Sequence, residues 1–399
     1  MLCLRQLLVN PYSMKAFMES RKVLRYKAAI ELNFVLKIMS SLSLSNPSQL
    51  IVRNMDCFEL EHLLMIGLPG DQLVSQLLDE GLGRVTALTR DFSDYRRLKP
   101  LVGNHNDRFF LTFAPVLEEP LSSPVDGVLI FLQKSKPLMD FWLEMIRFHV
   151  AANVPIYLVG ENDEGIKSWK KRLKQSFSDV KSVDNARHCV LLEACGAMNK
   201  GAVNKPDQFT EKGAFNTFTV QAMDKVLSIS SLPGVFSHGR LDVGTEVLLE
   251  TLNDLPSGNV LDFGCGAGVI SAYISEQPEE RHLTLVDCDA MALASSRKTM
   301  NDLGVENYQV LASDGLSEVT GQFDLIISNP PFHQGVKTHY EVTERFLSES
   351  HQKLKVGGEL RIVANSFLKY PPIIEQTFGR CETLLSRNGF SIYRAFKKV

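Results

Sequence analysis

Apolar residues along this chain fall into short unbroken runs, separated by stretches whose hydrophobic positions recur at helical spacing. That pattern predicts strands of a parallel sheet covered on both faces by helices. In the C-terminal half the predicted strands are Val260–Phe263, His282–Val286, Tyr308–Leu311, Asp324–Ser328, Glu359–Ala364 and Ser391–Phe396. Helices are expected over Val269–Glu276, Ala290–Leu303, Tyr340–Leu354 and near Pro372–Phe378. The N-terminal half repeats the later part of this order: strand Asp126–Phe131, helix Pro137–Ala152, strand Pro155–Val159, helix Ile166–Phe177 and strand His188–Glu193, with Arg84–Thr89 as an earlier strand. Ile156 lies 32 residues before His188, and Leu360 lies 31 before Ser391. The expected fold is α/β, with two tandem doubly wound Rossmann-like domains at 46–197 and 198–399. The linker is placed at Ala197–Asp207, leading through Phe209–Ala214 into a helix over Thr217–Leu227.

Length and composition agree with two domains. The chain has 399 residues, 44% of them hydrophobic and 22% charged, enough apolar mass for two sizeable cores. Seven scattered cysteines without a C-x-x-C pair indicate a reduced, cytoplasmic protein with neither a disulfide framework nor a zinc site. The histidines form no metal-ligand spacing, and no apolar run reaches the roughly 18 residues of a membrane span. Residues 1–199 carry 24 basic and 22 acidic side chains, residues 200–399 carry 19 and 24, and the total is −3. An acidic C-terminal half disfavours avid binding of naked nucleic acid and favours docking through local patches. Residues 1–45 hold seven basic and two acidic residues and an amphipathic pattern around Ile30–Ile38. They are expected to be an extension outside the native fold, with translation starting at Met39.

Chemistry concentrates in the C-terminal half. Strand Val260–Phe263 runs into Gly264-Cys265-Gly266-Ala267-Gly268, a G-x-G-x-G turn preceded by Asp262, and then into a helix. Glycines let a ligand approach the backbone closely. The spacing is not G-x-G-x-x-G, and an acid beside the turn suits an amino-acid ammonium better than a pyrophosphate. Asp287, followed by Cys288, ends the next strand nineteen residues after Gly268, where it can accept from ribose hydroxyls. Asp314-Gly315 forms a turn whose acid could meet an adenine amino group. In order, these features spell a site for S-adenosylmethionine. Asn329-Pro330-Pro331-Phe332 follows the strand Phe323–Ser328. The Asn oxygen and the Pro330 carbonyl are two acceptors that can hold an NH2 group, the prolines stiffen the loop, and Phe332 offers a stacking face.

On these residues the chain resembles class I methyltransferases that act on exocyclic or amide nitrogens. With the leading segment Phe236–Thr245, it is similar to the two-domain guanine-N2 methyltransferases of bacterial ribosomal RNA. The resemblance runs from about Gln49 to the C-terminus and implies methyl transfer to a guanine of 16S rRNA in the assembled 30S subunit, by a monomer without metal or membrane. Arg240, His333 and Lys337 are candidate substrate contacts. Methylation of 23S guanine, adenine N6 or glutamine N5 stays open, as does a non-catalytic assembly factor with a retained fold.

The N-terminal copy lacks the chemistry. Leu132-Gln133-Lys134-Ser135 stands where the other copy has Asn-Pro-Pro-Phe, and Gly67-Leu68-Pro69-Gly70 stands where the glycine turn belongs. It is expected to be a degenerate domain that positions RNA. Candidate phosphate contacts are Arg90, Arg96, Arg97, Lys99 and the helix Lys167–Lys174.

Overall fold

A computed structural model describes residues 43–105, 107–117, 121, 123–196, 214–222, 224–330 and 336–398, without the side chains of 336–342. Almost all of the extension 1–45, the linker Ala197–Asp207, Pro331, Phe332, His333 and the Lys337 side chain therefore lie outside the described residues.

Two seven-stranded sheets share one topology. The first contains β1 (His62–Ile66), β2 (Arg84–Thr89), β3 (Phe109–Phe113), β4 (Gly127–Phe131), β5 (Ile156–Glu161), β6 (Asp179–Ala186) and β7 (Cys189–Cys195). Its order is β3-β2-β1-β4-β5-β7-β6. After the hairpin β8 (Asn216–Ala222) and β9 (Lys225–Ser231), the second sheet contains β10 (Gly258–Phe263), β11 (Arg281–Asp287), β12 (Tyr308–Ala312), β13 (Phe323–Ser328), β14 (Leu354–Asn365), β15 (Glu382–Arg387) and β16 (Phe390–Phe396). Its order, β12-β11-β10-β13-β14-β16-β15, repeats the first strand for strand. In each sheet six strands run the same way, and one, β7 or β16, lies antiparallel between the last two of them. The duplication read from spacing is thus real.

The central strands β1 and β4 are buried at every position, as strands covered on both faces must be. Chain order reverses between β1 and β4, and again between β10 and β13; crevices at the carboxyl ends of such strands are where these sheets take ligands. Helices start on acidic caps there: Asp91 accepts from Ser93 and Asp94 amides, Asp289 from Met291, and Asp242 from Thr245.

One prediction is corrected. Thr217–Leu227 is not a helix but most of the β8–β9 hairpin, with Phe218 opposite Ile229 and Val220 opposite Leu227. Phe218, Val220 and Ala222 alternate with exposed Thr217, Thr219 and Gln221, a period of two carried by β-favouring residues. The hairpin packs on helix Ala290–Asp302, where the Ser230 and Leu232 amides donate to Thr299 Oγ1 and Ser295 Oγ. The edge strands β6 and β15 escape the sequence reading because they carry polar, half-exposed residues; β3 is missing from it although Phe109–Phe113 is mostly apolar.

The two copies meet at equivalent points. Asp91, just past β2, forms an antiparallel bridge with Asp289, just past β11. The Phe92 amide donates to the Cys288 carbonyl at 2.8 Å, and the Ala290 amide to the Arg90 carbonyl at 2.8 Å. Among the described residues no helix is long and apolar enough to cross a membrane, and no cluster of His, Cys, Asp or Glu is placed to hold a metal.

Candidate active site

The glycine turn is built by left-handed backbone. Gly264, Gly266 and Gly268 have φ of 69°, 53° and 80°, values that side chains disfavour. Asp287 stiffens the turn: one carboxylate oxygen accepts from the Gly266 amide at 3.0 Å, the other from the Asp289 amide at 3.0 Å. A Cβ at Gly266 would meet nothing within 4 Å, so the turn presents bare backbone to open space. Burial pushes the Asp287 carboxyl above its ordinary range and raises the buried Cys265 thiol as well.

Asp262 departs from expectation. It does not line the cavity; Oδ2 accepts from the amide and hydroxyl of Ser271 at 3.2 and 2.7 Å, tying strand to helix. Burial pushes it up to about 7 despite those bonds. Phe263 is likewise turned away, stacked on Phe346 with ring centroids 4.4 Å apart, and Gly268 packs against Ser296. Cys288 does line the cavity, whereas Asp314 and Gly315 do not: Arg345 lies 3.7 Å from the Asp314 carboxylate.

Asn329 follows β13, whose Ser328 pairs with Phe263 of β10, so it stands beside the glycine turn. Its Nδ2 donates to Asp242 Oδ2 at 2.9 Å and to Thr245 Oγ1 at 2.8 Å. A carboxylate can only accept, so the amide nitrogen must face Asp242 and Oδ1 must point the other way. Asp242 and Thr245 thereby fix Asn329 as an acceptor. The sequence put both in the leading segment Phe236–Thr245 without this role; the helix-start pattern Asp-x-x-Thr was the available signal.

A cavity of about 660 Å³ connects these parts, within the range of small-molecule sites. Gly264–Ala267, Asp287–Asp289, Asn329, Pro330 and the exposed Arg240 form its catalytic-domain wall. The opposite wall comes from the N-terminal copy: Arg90, Asp91, Gln133, Lys134 and Ser135. The stretch that replaces Asn-Pro-Pro-Phe in that copy thus faces the other copy's site. Arg90 Nη2 pairs with Asp289 at 3.1 Å, and Asp289 is pushed up to about 7 by burial, with Arg90 opposing the rise.

The candidate phosphate contacts fall in different settings. Arg90 pairs with Asp289 in this seam, and the exposed Arg96 pairs with Glu318 and donates to Ser317 of the other copy. Arg97 covers the vestigial turn beside Asp94, and Lys99 lies over the Tyr95 ring. In the basic helix Arg172 binds Asp140, leaving Lys167, Lys171 and Lys174 exposed. The vestigial turn itself is filled: a Cβ at Gly67 would stand 2.7 Å from Trp142, and one at Gly70 2.9 Å from Arg97 and Asp94.

Two family models match the chain, Methyltransferase small domain over residues 226–394 and Methyltransferase small domain N-terminal over residues 48–211. Fold and site define a class I S-adenosylmethionine-dependent methyltransferase. The bare turn and the Asp287 carboxylate at its edge offer the open backbone and the acceptor that this cofactor's nucleoside requires. The chain is 39% identical over 350 residues to ribosomal RNA small subunit methyltransferase C of Stutzerimonas stutzeri, covering 88% of this chain and 98% of that protein. It is 38% identical over 351 residues to the same-named protein of Vibrio parahaemolyticus, with the same coverages. The solved T. thermophilus 16S rRNA N2 G1207 methyltransferase, in complex with AdoMet and guanosine, matches with a TM-score of 0.71 at 21% identity, over 84% of this chain and 88% of that one. This chain belongs to the ribosomal RNA small subunit methyltransferase C family.

Proposed function

We propose that this protein transfers the methyl group of S-adenosylmethionine to the exocyclic N2 of a guanine in 16S rRNA, acting on the assembled 30S subunit as a monomer. The observation that carries the reading is the locked Asn329 amide, an oriented acceptor beside a nucleoside-binding turn. The names of the relatives support ribosomal RNA of the small subunit, and the solved relative's title supports position G1207.

The cofactor supplies an already activated methyl group, so the chain's task is alignment. Asn329 Oδ1 and the Pro330 carbonyl accept the two hydrogens of the guanine amine and aim its lone pair. The same acceptors ease the positive charge that develops on nitrogen. Asp287 holds the ribose. A strong general base is unnecessary, because the product's extra proton is acidic and leaves to solvent. A paired guanine must first be turned out of its helix. Phe332 is assigned to stack on that base, Pro331 to the same loop motif, and Arg240, His333 and Lys337 to contact the substrate. The N-terminal copy serves as wall and positioning module and takes no cofactor.

Incubation with labelled donor and separate 30S, 50S and naked rRNA, followed by mapping of the modified base, tests this. Label at one guanine of 16S rRNA in 30S is the expected result. Label on 23S rRNA, on adenine or on protein would replace the reading.

A further inference from the structure

Among the described residues, the exposed large hydrophobic side chain with the greatest fractional exposure is Phe367, at 78%. It sits at the tip of the turn that follows β14. That strand runs parallel to β13 with Ile362 opposite Ser328, so the turn emerges beside Asn329. A small cleft lined by Asn329, Pro330, Asn365, Leu368 and Tyr370 joins the two.

The turn is held firmly. The Ser366 amide donates to the Gly389 carbonyl at 2.8 Å, the Leu368 amide to the Asn365 carbonyl at 2.9 Å, and the Ser366 and Ser391 hydroxyls meet at 2.9 Å. Its neighbours turn inward, with Tyr370 buried and Leu368 partly so. Burial accounts for Leu368 and Tyr370 and hydrogen bonds for Ser366, while the Phe367 ring is held out into water. Two residues on is the exposed Lys369, and residues 365–370 contain no acid. A flat apolar face, a cation and a stiff support suit a nucleobase with its phosphate.

We propose that Phe367 stacks on a base of the RNA neighbouring the target, holding the strand open while the target enters the Asn329 pocket. This rests on the rRNA reading above. An aromatic side chain set against a disturbed base step is a general means of offsetting lost stacking.

The test uses full-length F367A, F367W and F367L with small ribosomal subunits that lack the modification, and calorimetric titration of S-adenosylmethionine. F367A should lower kcat/KM on subunits by about tenfold or more, F367W should stay within about threefold of wild type, and F367L should resemble F367A. Cofactor affinity should be unchanged in all three. F367A at wild-type activity overturns the proposal. So does F367L at wild-type activity, which would mean apolar contact with a ribosomal protein, and so does a parallel loss of cofactor binding, which would mean a structural role. Failure of the wild type itself to modify rRNA would remove the functional reading, and is distinguishable because it precedes any variant.

Discussion

Asn329 is a neutral side chain given direction by its neighbours. Replacing it by Ala removes the oriented oxygen without touching the glycine turn. Transfer should fall by about a hundredfold or more while calorimetric cofactor affinity stays at the wild-type value. An equal loss of both would mean that Asn329 holds cofactor instead. Asp242→Asn is the sharper change. The helix cap and the Asn329 amide share one oxygen, Asp242 Oδ2, which accepts from Thr245 N and from Asn329 Nδ2. Asn keeps one oxygen for the cap of Val243–Leu249, so the melting temperature should hold, and puts a donor where the second carboxylate oxygen stood, which gives the Asn329 oxygen an alternative partner and loosens its orientation. We expect kcat to drop about tenfold with unchanged cofactor affinity, measured by single-turnover transfer and thermal unfolding. A lowered melting temperature with kcat intact would assign Asp242 to the helix alone.

Among the elements, the turn after β10 separates backbone strain from ligand space. Gly266 has φ of 53° and room for a Cβ, so Gly266→Ala pays only for its left-handed backbone, about 1–2 kcal/mol. The added methyl stands where ligand must approach. Cofactor affinity should therefore fall by more than tenfold while the melting temperature drops only a few degrees; loss of affinity no greater than the stability change would refute the assignment. This turn was readable in the sequence because glycine spacing encodes conformation directly, and the duplicated sheets because buried parallel strands leave unbroken apolar runs. The β8–β9 hairpin was not, since Thr217–Leu227 is short and alternates in period two only over Thr217–Ala222. Asp262 shows a related limit: a carboxylate beside glycines reads as a ligand, and the structure pairs its Oδ2 with Ser271, nine residues on. A sequence shows which groups are available and leaves open which way each points.

On the scale of the molecule, one copy of the fold completes the other. With Trp142 and Arg97 over its own turn, the N-terminal copy should take no cofactor, and calorimetry should give one S-adenosylmethionine per chain; two would refute its proposed role. What it contributes instead is Arg90, the countercharge of Asp289 in the cavity wall. Burial pushes Asp289 up to about 7, so near neutrality the apo protein holds this group partly protonated. A folded pKa above the ordinary one means that stability from this group is present at low pH and is lost as pH rises from about 4 to about 7. Cofactor binding runs the other way, because a ligand bearing sulfonium and ammonium charge favours the carboxylate. Affinity should tighten as pH rises through about 7 and then level off. Asp289→Asn should flatten that dependence. Arg90→Ala, which removes the opposing cation and leaves a buried carboxyl unpaired, should move its midpoint to higher pH and weaken binding at pH 7 by about tenfold. Calorimetric titrations between pH 6 and 9 decide it: an Arg90→Ala profile that superimposes on wild type would mean that the seam between the copies holds them together without tuning the site.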